Sequence, residues 1–203
     1  MDPPIDPASD AAAAALDSEP FYRSIAVQFA ADGVRRRAVL SRYLDYSIAQ
    51  GLRIGRVVHL ETPALGVAIW QLPQSPQIEE RERADKRGFL QRLLGEAGCA
   101  NYQRIVAYMG ERAHTLVDRE AWYLSILAVA PQEQGRGLGR RLLAPTLAEA
   151  DSALRVCYLE TFGRGNLGFY ERFGFITRAE FTEPTTGSAY ALMMRPPRAG
   201  VTG

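Results

Sequence analysis

Between positions 33 and 50 the apolar residues Val34, Ala38, Leu44 and Ile48 recur at helical intervals with arginines between them. This spacing predicts an amphipathic helix closed by Gly51 as a C-cap, with Arg35-Arg36-Arg37 on its wet face. Short stretches rich in valine and isoleucine at 56–60 and 65–72, separated by Thr62-Pro63 and ended by Pro73, predict a hairpin. Charge then rises over 77–120, where Phe89, Leu93 and Leu94, and later Tyr102, Ile105, Val106 and Met109, take up helical spacing, so two helices divided at Gly98 are expected. Residues 121–130 revert to β character, 134–154 to helix, 156–162 to strand and 166–173 to a short helix, and two strands near 175–181 and 189–194 finish the chain. Strands alternating with helices argue for an α/β fold in which one mixed sheet is covered by helices. Pro145 falls inside the helix at 134–154, where a proline removes a hydrogen bond and costs about 3 kcal/mol, so a kink is expected there.

The ends and the composition narrow the picture further. Residues 1–10 hold three prolines and three aspartates and are expected to be a flexible N-terminus, with 11–203 a single domain. At 203 residues and 47% hydrophobic the chain has apolar material for one sizeable core. Twenty-four basic against twenty-three acidic residues give a formal charge of +1, too little for the positive field that unspecific nucleic-acid or anionic-membrane binding needs. The longest apolar run, 121–130, falls well short of the roughly 20 residues of a membrane span, and the alanines at 11–15 follow no basic residue as a secretory signal would require. Cys99 and Cys157 supply neither a disulfide framework nor zinc-like spacing, so a reduced, cytoplasmic setting without a metal is expected.

Chemistry is concentrated in Val129-Ala130-Pro131-Gln132-Glu133-Gln134-Gly135-Arg136-Gly137-Leu138-Gly139-Arg140, where a strand passes through a proline into a glycine-dense turn and a helix. Glycines at alternate positions let backbone N–H groups converge, and the helix adds the positive end of its dipole, which together bind phosphate. A dinucleotide fingerprint would need glycine at Arg140, and a nucleotide P-loop would need Gly-Lys-Ser/Thr, so both fail. The remaining pattern, Gln-x-x-Gly-x-Gly at Gln134, Gly137 and Gly139, resembles the acetyl-CoA pyrophosphate loop of the GNAT superfamily of N-acetyltransferases. Tyr158-Leu159-Glu160-Thr161 followed by Asn166, Phe169-Tyr170, Phe173, Gly174 and Phe175 resembles that superfamily's second cofactor segment. The run from Trp122-Tyr123-Leu124 to Gly174-Phe175, with Gly66-Val67-Ala68-Ile69-Trp70 and Pro73 upstream, is similar to the puromycin N-acetyltransferase-like branch, although Ala121 stands where that branch often has histidine.

The resemblance implies a GNAT-like fold with a mixed sheet of about six or seven strands and a helical insertion before the fourth. It implies acetyl-CoA as co-substrate, a small-molecule amine as acceptor, and direct attack in a ternary complex. Backbone groups at Leu127 and Val129 are expected to meet the pantetheine arm in a splay between two parallel strands. The amides of Gln134, Gly135, Arg136, Gly137, Leu138 and Gly139 would take the pyrophosphate, and Asn166 would join them. Arg136 and Arg140 are read either as phosphate partners or as a solvated helix face. Tyr170 takes the position of the acid that protonates the departing thiolate, and Glu160 is the candidate base, each with a purely structural alternative. His59 and His114 lack neighbours for triad chemistry. Acceptor specificity is expected from residues 77–120 and the N-terminal helices, through Phe89, Leu93, Tyr102, Ile105 and Met109, with Trp70 nearby. Two other readings remain: a non-catalytic acyl-CoA-binding or regulatory module, and acetylation of a protein amine. The oligomeric state is not legible.

Overall fold

Six strands form one sheet in the order β1-β2-β3-β4-β6-β5, namely β1 Gly55–His59, β2 Gly66–Gln71, β3 Trp122–Val129, β4 Cys157–Phe162, β5 Ile176–Glu183 and β6 Ser188–Arg195. The structure, a computed structural model, describes residues 6–198. Only β3 and β4 run parallel, and every other neighbouring pair is antiparallel. Helices α1 Pro7–Leu16, α2 Pro20–Ile25, α3 Gly33–Ile54, α4 Pro76–Leu116, α5 Leu138–Ser152 and α6 Leu167–Glu171 flank the sheet. The expected mixed α/β architecture is therefore present, and no described helix is long and apolar enough to cross a membrane.

The central strands of the sheet are packed on both faces. In β2, Val67 and Ile69 pack with α1, α2, α3 and α4, whereas Ala68 and Trp70 pack with α5 and the end of β6. In β3, Trp122 and Leu124 share the α5 side while Ile126 and Ala128 face the other side. Residues two apart keep one face in a regular strand, so an extra residue must intervene. It is Ser125, because Trp70 pairs with Leu124 and Ile69 with Ile126, leaving a β-bulge between them. The Ser125 hydroxyl donates to the Ile69 carbonyl at 3.1 Å and satisfies one group the bulge displaces.

Several local expectations are corrected. Residues 1–5 lie outside the described residues, but Pro7 to Asp10 form the first turn of α1 rather than a flexible tail. Asp6 caps that helix by accepting from the Ala8 N–H at 2.7 Å, and Ala8 and Ser9 are buried. Helix α3 runs through Gly51, which is not a C-cap. A Cβ at Gly51 would lie 2.7 Å from Val57 Cγ2 and 2.8 Å from Ile69 Cγ2, so glycine lets the helix press onto the sheet. Val34 and Ala38 are exposed, and Leu40, Leu44 and Ile48 carry the buried face. Arg36 leaves the wet face to hold Asp17 at 2.7 Å. The break in α4 falls at Gly95, with φ 67° and ψ −175°, and not at Gly98, whose missing Cβ makes room for the Ile25 carbonyl of α2. Because residues 6–54 contain helices only, α4 is inserted before the third strand and not the fourth. Helix α5 remains helical through Pro145.

Gly51→Ala adds a methyl where two side chains already stand, at about 1–3 kcal/mol, which outweighs the helix-propensity gain of about 1 kcal/mol. Gly88→Ala, whose nearest new neighbour is Arg92 Nη1 at 3.6 Å, keeps the gain. Thermal melts are therefore expected to fall for the first variant and rise for the second.

Candidate active site

The parallel ladder between β3 and β4 ends at Leu124 opposite Leu159, one residue before the bulge at Ser125. A bulge bends its strand and increases local twist. Beyond it, residues 126–129 remain paired with β2 but have no register with β4, so their other backbone edge opens into the sheet. The expected splay is present, and the bulge is its physical cause. Cavities lie on either side of it.

The larger cavity, about 890 Å³, is bounded by Leu127 and Val129, the glycine turn, the first turn of α5, and Asn166, Phe169 and Tyr170. Gly135 and Gly137 have φ of 77° and 78°, and a Cβ at either would meet nothing within 4 Å, so backbone conformation and not crowding calls for glycine. Gly139 is different, because a Cβ there would come within 2.8 Å of Phe169 Cζ, so it allows α5 and α6 to approach closely. Helix α5 begins at Gly137 with no side-chain cap, which leaves first-turn amides for an anion. The Gln134 side chain donates to the Val129 carbonyl at 3.2 Å and latches the turn to the end of β3.

Arg140 borders this cavity together with Arg172 and Arg198, two arginines the sequence reading passed over. Arg136 does not border it and is instead ion-paired with Glu133. Asn166 donates to Thr161 Oγ1 at 3.4 Å. Tyr170 packs edge-on to Phe169, with centroids 5.1 Å apart, and burial first and Glu19 second raise its pKa, so it carries its proton at neutral pH. Arg195 braces the floor, holding Asp151 of α5 through two 2.7 Å bonds and the Phe173 carbonyl at 2.9 Å.

The second cavity, about 330 Å³, lies between the sheet and helices α2, α3 and α4. Glu160 stands in its wall. Its Oε2 accepts from the Tyr123 hydroxyl at 3.2 Å, while its Oε1 is buried with no partner among the described residues. Burial pushes the carboxyl up to about 7, against a smaller lowering by Tyr123. Tyr123 is itself held well above its ordinary pKa, mainly by burial, and stacks on Tyr158 at 4.6 Å. Such a carboxyl exchanges a proton near neutral pH.

Tyr102, Met109 and Trp70 line this second cavity as expected, but Phe89 and Leu93 pack into the α1–α4 core and Ile105 packs with Phe162 and Tyr190. Neither histidine reaches a cavity: His59 lies on β1 and His114 is exposed in the last turn of α4. Ala121 is buried just before β3. Burial pushes the Cys157 thiol up to about 12, which makes it unreactive.

Residues 91–177 match the family model described as the Acetyltransferase (GNAT) domain. Over 59 residues the chain is 37% identical to an uncharacterized N-acetyltransferase of Schizosaccharomyces pombe, a match covering 29% of this chain and only about a quarter (24%) of that relative's length. Two solved structures share the fold. A protein of Corynebacterium glutamicum, described as histone acetyltransferase HPA2 and related acetyltransferase, aligns with a TM-score of 0.64 at 20% identity over 96% of this chain and 92% of its own. Arylalkylamine N-acetyltransferase 2 of Aedes aegypti aligns with a TM-score of 0.61 at 14% identity over 94% of each chain. Residues 91–177 thus resemble a GNAT acetyltransferase domain, and the chain as a whole shares the fold of these two structures.

Proposed function

We propose that the protein moves an acetyl group from acetyl-CoA to the primary amine of a small molecule by direct attack in a ternary complex. The observation that carries this reading is the pairing of two unlike cavities across one splay: a glycine turn and Tyr170 on one side, Glu160 on the other. The larger cavity suits CoA, since unpaired backbone of residues 126–129 can bond an extended amide chain and the Gly135–Gly139 turn, Arg140, Arg172 and Arg198 offer donors to phosphate. Bound there, acetyl-CoA supplies a thioester, and as the amine nitrogen bonds to the acetyl carbon the C–S bond breaks and sulfur leaves with its electron pair.

The chain's own groups then move protons. Glu160 Oε1 takes one from the incoming ammonium, with Tyr123 holding the other carboxylate oxygen in place. Tyr170 gives one to the leaving sulfur and is reprotonated by the surplus proton that the new amide nitrogen sheds. The puromycin N-acetyltransferase-like branch belongs to this reading through Gly66–Trp70 and the Trp122–Phe175 run. We also take 7–198 as one domain, since α1 is sealed into the core by Ala8, Ala12 and Ala13.

The test is acetyl-CoA-dependent thiol release with a panel of amines that includes puromycin. Turnover of at least one amine is expected, whereas tight CoA binding with none turned over supports a non-catalytic binding module. Val106 is 44% exposed and lines the second cavity, so Val106→Phe is expected to raise acceptor KM about tenfold and leave acetyl-CoA KM within about twofold. A change confined to acetyl-CoA KM overturns the assignment of that cavity to the acceptor.

A further inference from the structure

The second cavity holds a charge that the proton transfers do not use. Lys86 of α4 enters it among aromatic rings, with Nζ 5.5 Å from the Tyr43 centroid and 5.6 Å from that of Tyr102. Its hydrogen-bond acceptor is the Gln50 side-chain oxygen at 3.4 Å, and among the described residues no carboxylate lies within ion-pairing distance of it. The nearby Glu82 is already occupied, by Arg53 at 2.8 Å and Gln50 at 3.1 Å. A half-buried lysine among rings is seldom left without an anion, because desolvating a charge is costly and rings compensate only in part. Burial acts against its charge, but Tyr43, Tyr102 and the Glu82 carboxylate raise its pKa on balance, so Lys86 is cationic at neutral pH.

Aromatic side chains line the cavity that holds the two charged groups. Tyr123, Tyr22 and Tyr43 lead from the Glu160 wall toward Lys86, and the Tyr22 and Tyr43 rings lie 6.0 Å apart, edge to face. The cavity thus offers a carboxylate for a cation, an aromatic body, and a cation for an anion, in 330 Å³, the space of about ten water molecules.

Resting on the acetyl-transfer reading, we propose that the acceptor is a zwitterionic amine of aromatic or apolar body, its amine at Glu160 and an anionic group, such as a carboxylate, at Lys86. Selectivity for the anion then comes from Lys86, and the amine is placed by Glu160. The far anion explains why a half-buried cation is kept among the rings of Tyr43 and Tyr102.

The experiment compares 4-(2-aminoethyl)benzoate with its methyl ester as acceptors, in wild type and in Lys86→Met and Lys86→Gln. Wild type is expected to prefer the acid by tenfold or more in kcat/KM, as a charge-assisted bond in a half-buried site implies. Both variants are expected to lose that preference through the acid alone, with kcat/KM for the ester and acetyl-CoA KM within about twofold of wild type. Equal use of acid and ester by wild type, or a parallel loss of both in the variants, overturns the proposal. Should neither amine be acetylated, the acetyl-transfer reading is decided separately by the wider amine panel, and calorimetric binding of the two compounds decides the ligand class. Tighter binding of the acid that both variants abolish then sustains the proposal, and equal binding refutes it. Melting temperatures of the variants, with Lys86→Gln keeping polarity without charge, separate a folding defect from a lost ion pair.

Discussion

Tyr170→Phe is expected to lower kcat by about 10²- to 10⁴-fold while acetyl-CoA KM stays within about twofold. The hydroxyl is the only atom removed, and the ring contacts to Phe169 at 5.1 Å and Phe175 at 6.0 Å persist, so the cavity wall is kept. A CoA thiolate leaves poorly from a dry site unless it gains a proton, and Tyr170, which burial keeps protonated, borders the cavity that would hold the sulfur. The loss should fall on kcat because the proton is needed only as the bond breaks. An activated thioester with a less basic leaving thiol is expected to recover much of the rate in the variant. A variant that turns over at the wild-type rate would return Tyr170 to a packing role, the alternative its position beside Phe169 and Phe173 always allowed.

What could be read from the chain depended on how local each requirement is. Gly135 and Gly137 were legible because a left-handed backbone and an uncapped helix start are written in neighbouring residues. The hairpin of β1 and β2 was legible for the same reason. Gly51 and Gly98 misled, since a glycine in a helix signals an end when only its own helix is in view. Each is in fact fixed by a partner element, the sheet for Gly51 and α2 for Gly98. Ser125 gave no signal of a bulge, because one surplus residue within an apolar run alters the register with another strand and nothing in its own sequence. Glu160 and Tyr170 were reached through the resemblance, but Tyr123 was not singled out. Its bond to Glu160 joins residues 37 apart on parallel strands, and only the register of Tyr123 opposite Tyr158 shows that Glu160 lies diagonally within reach. Lys86 was hidden in a charged stretch where most residues are solvated.

The pH dependence of the wild type and of Glu160→Gln should separate a base from a structural carboxylate. Burial raises Glu160 from 4.5 to about 7, so the carboxylate form that accepts a proton is formed only as pH rises through that value. Acceptor kcat/KM is therefore expected to climb with pH along a limb with its midpoint near 7, and Glu160→Gln to lack that limb and fall about 10²-fold or more. Stability should respond in the opposite sense. A carboxyl that holds its proton more tightly folded than unfolded favours the fold at low pH, and this contribution, about 3 kcal/mol for the change from 4.5 to about 7, is lost as pH rises across that interval. Glutamine cannot ionise, keeps a partner in Tyr123, and so should melt higher than wild type at pH 8 and no higher at pH 4.5. Loss of activity with a raised melting temperature at pH 8 is the signature of a buried carboxylate kept for chemistry at a cost to the fold. If the variant instead keeps the limb near 7, the base lies elsewhere and Glu160 serves only to position Tyr123.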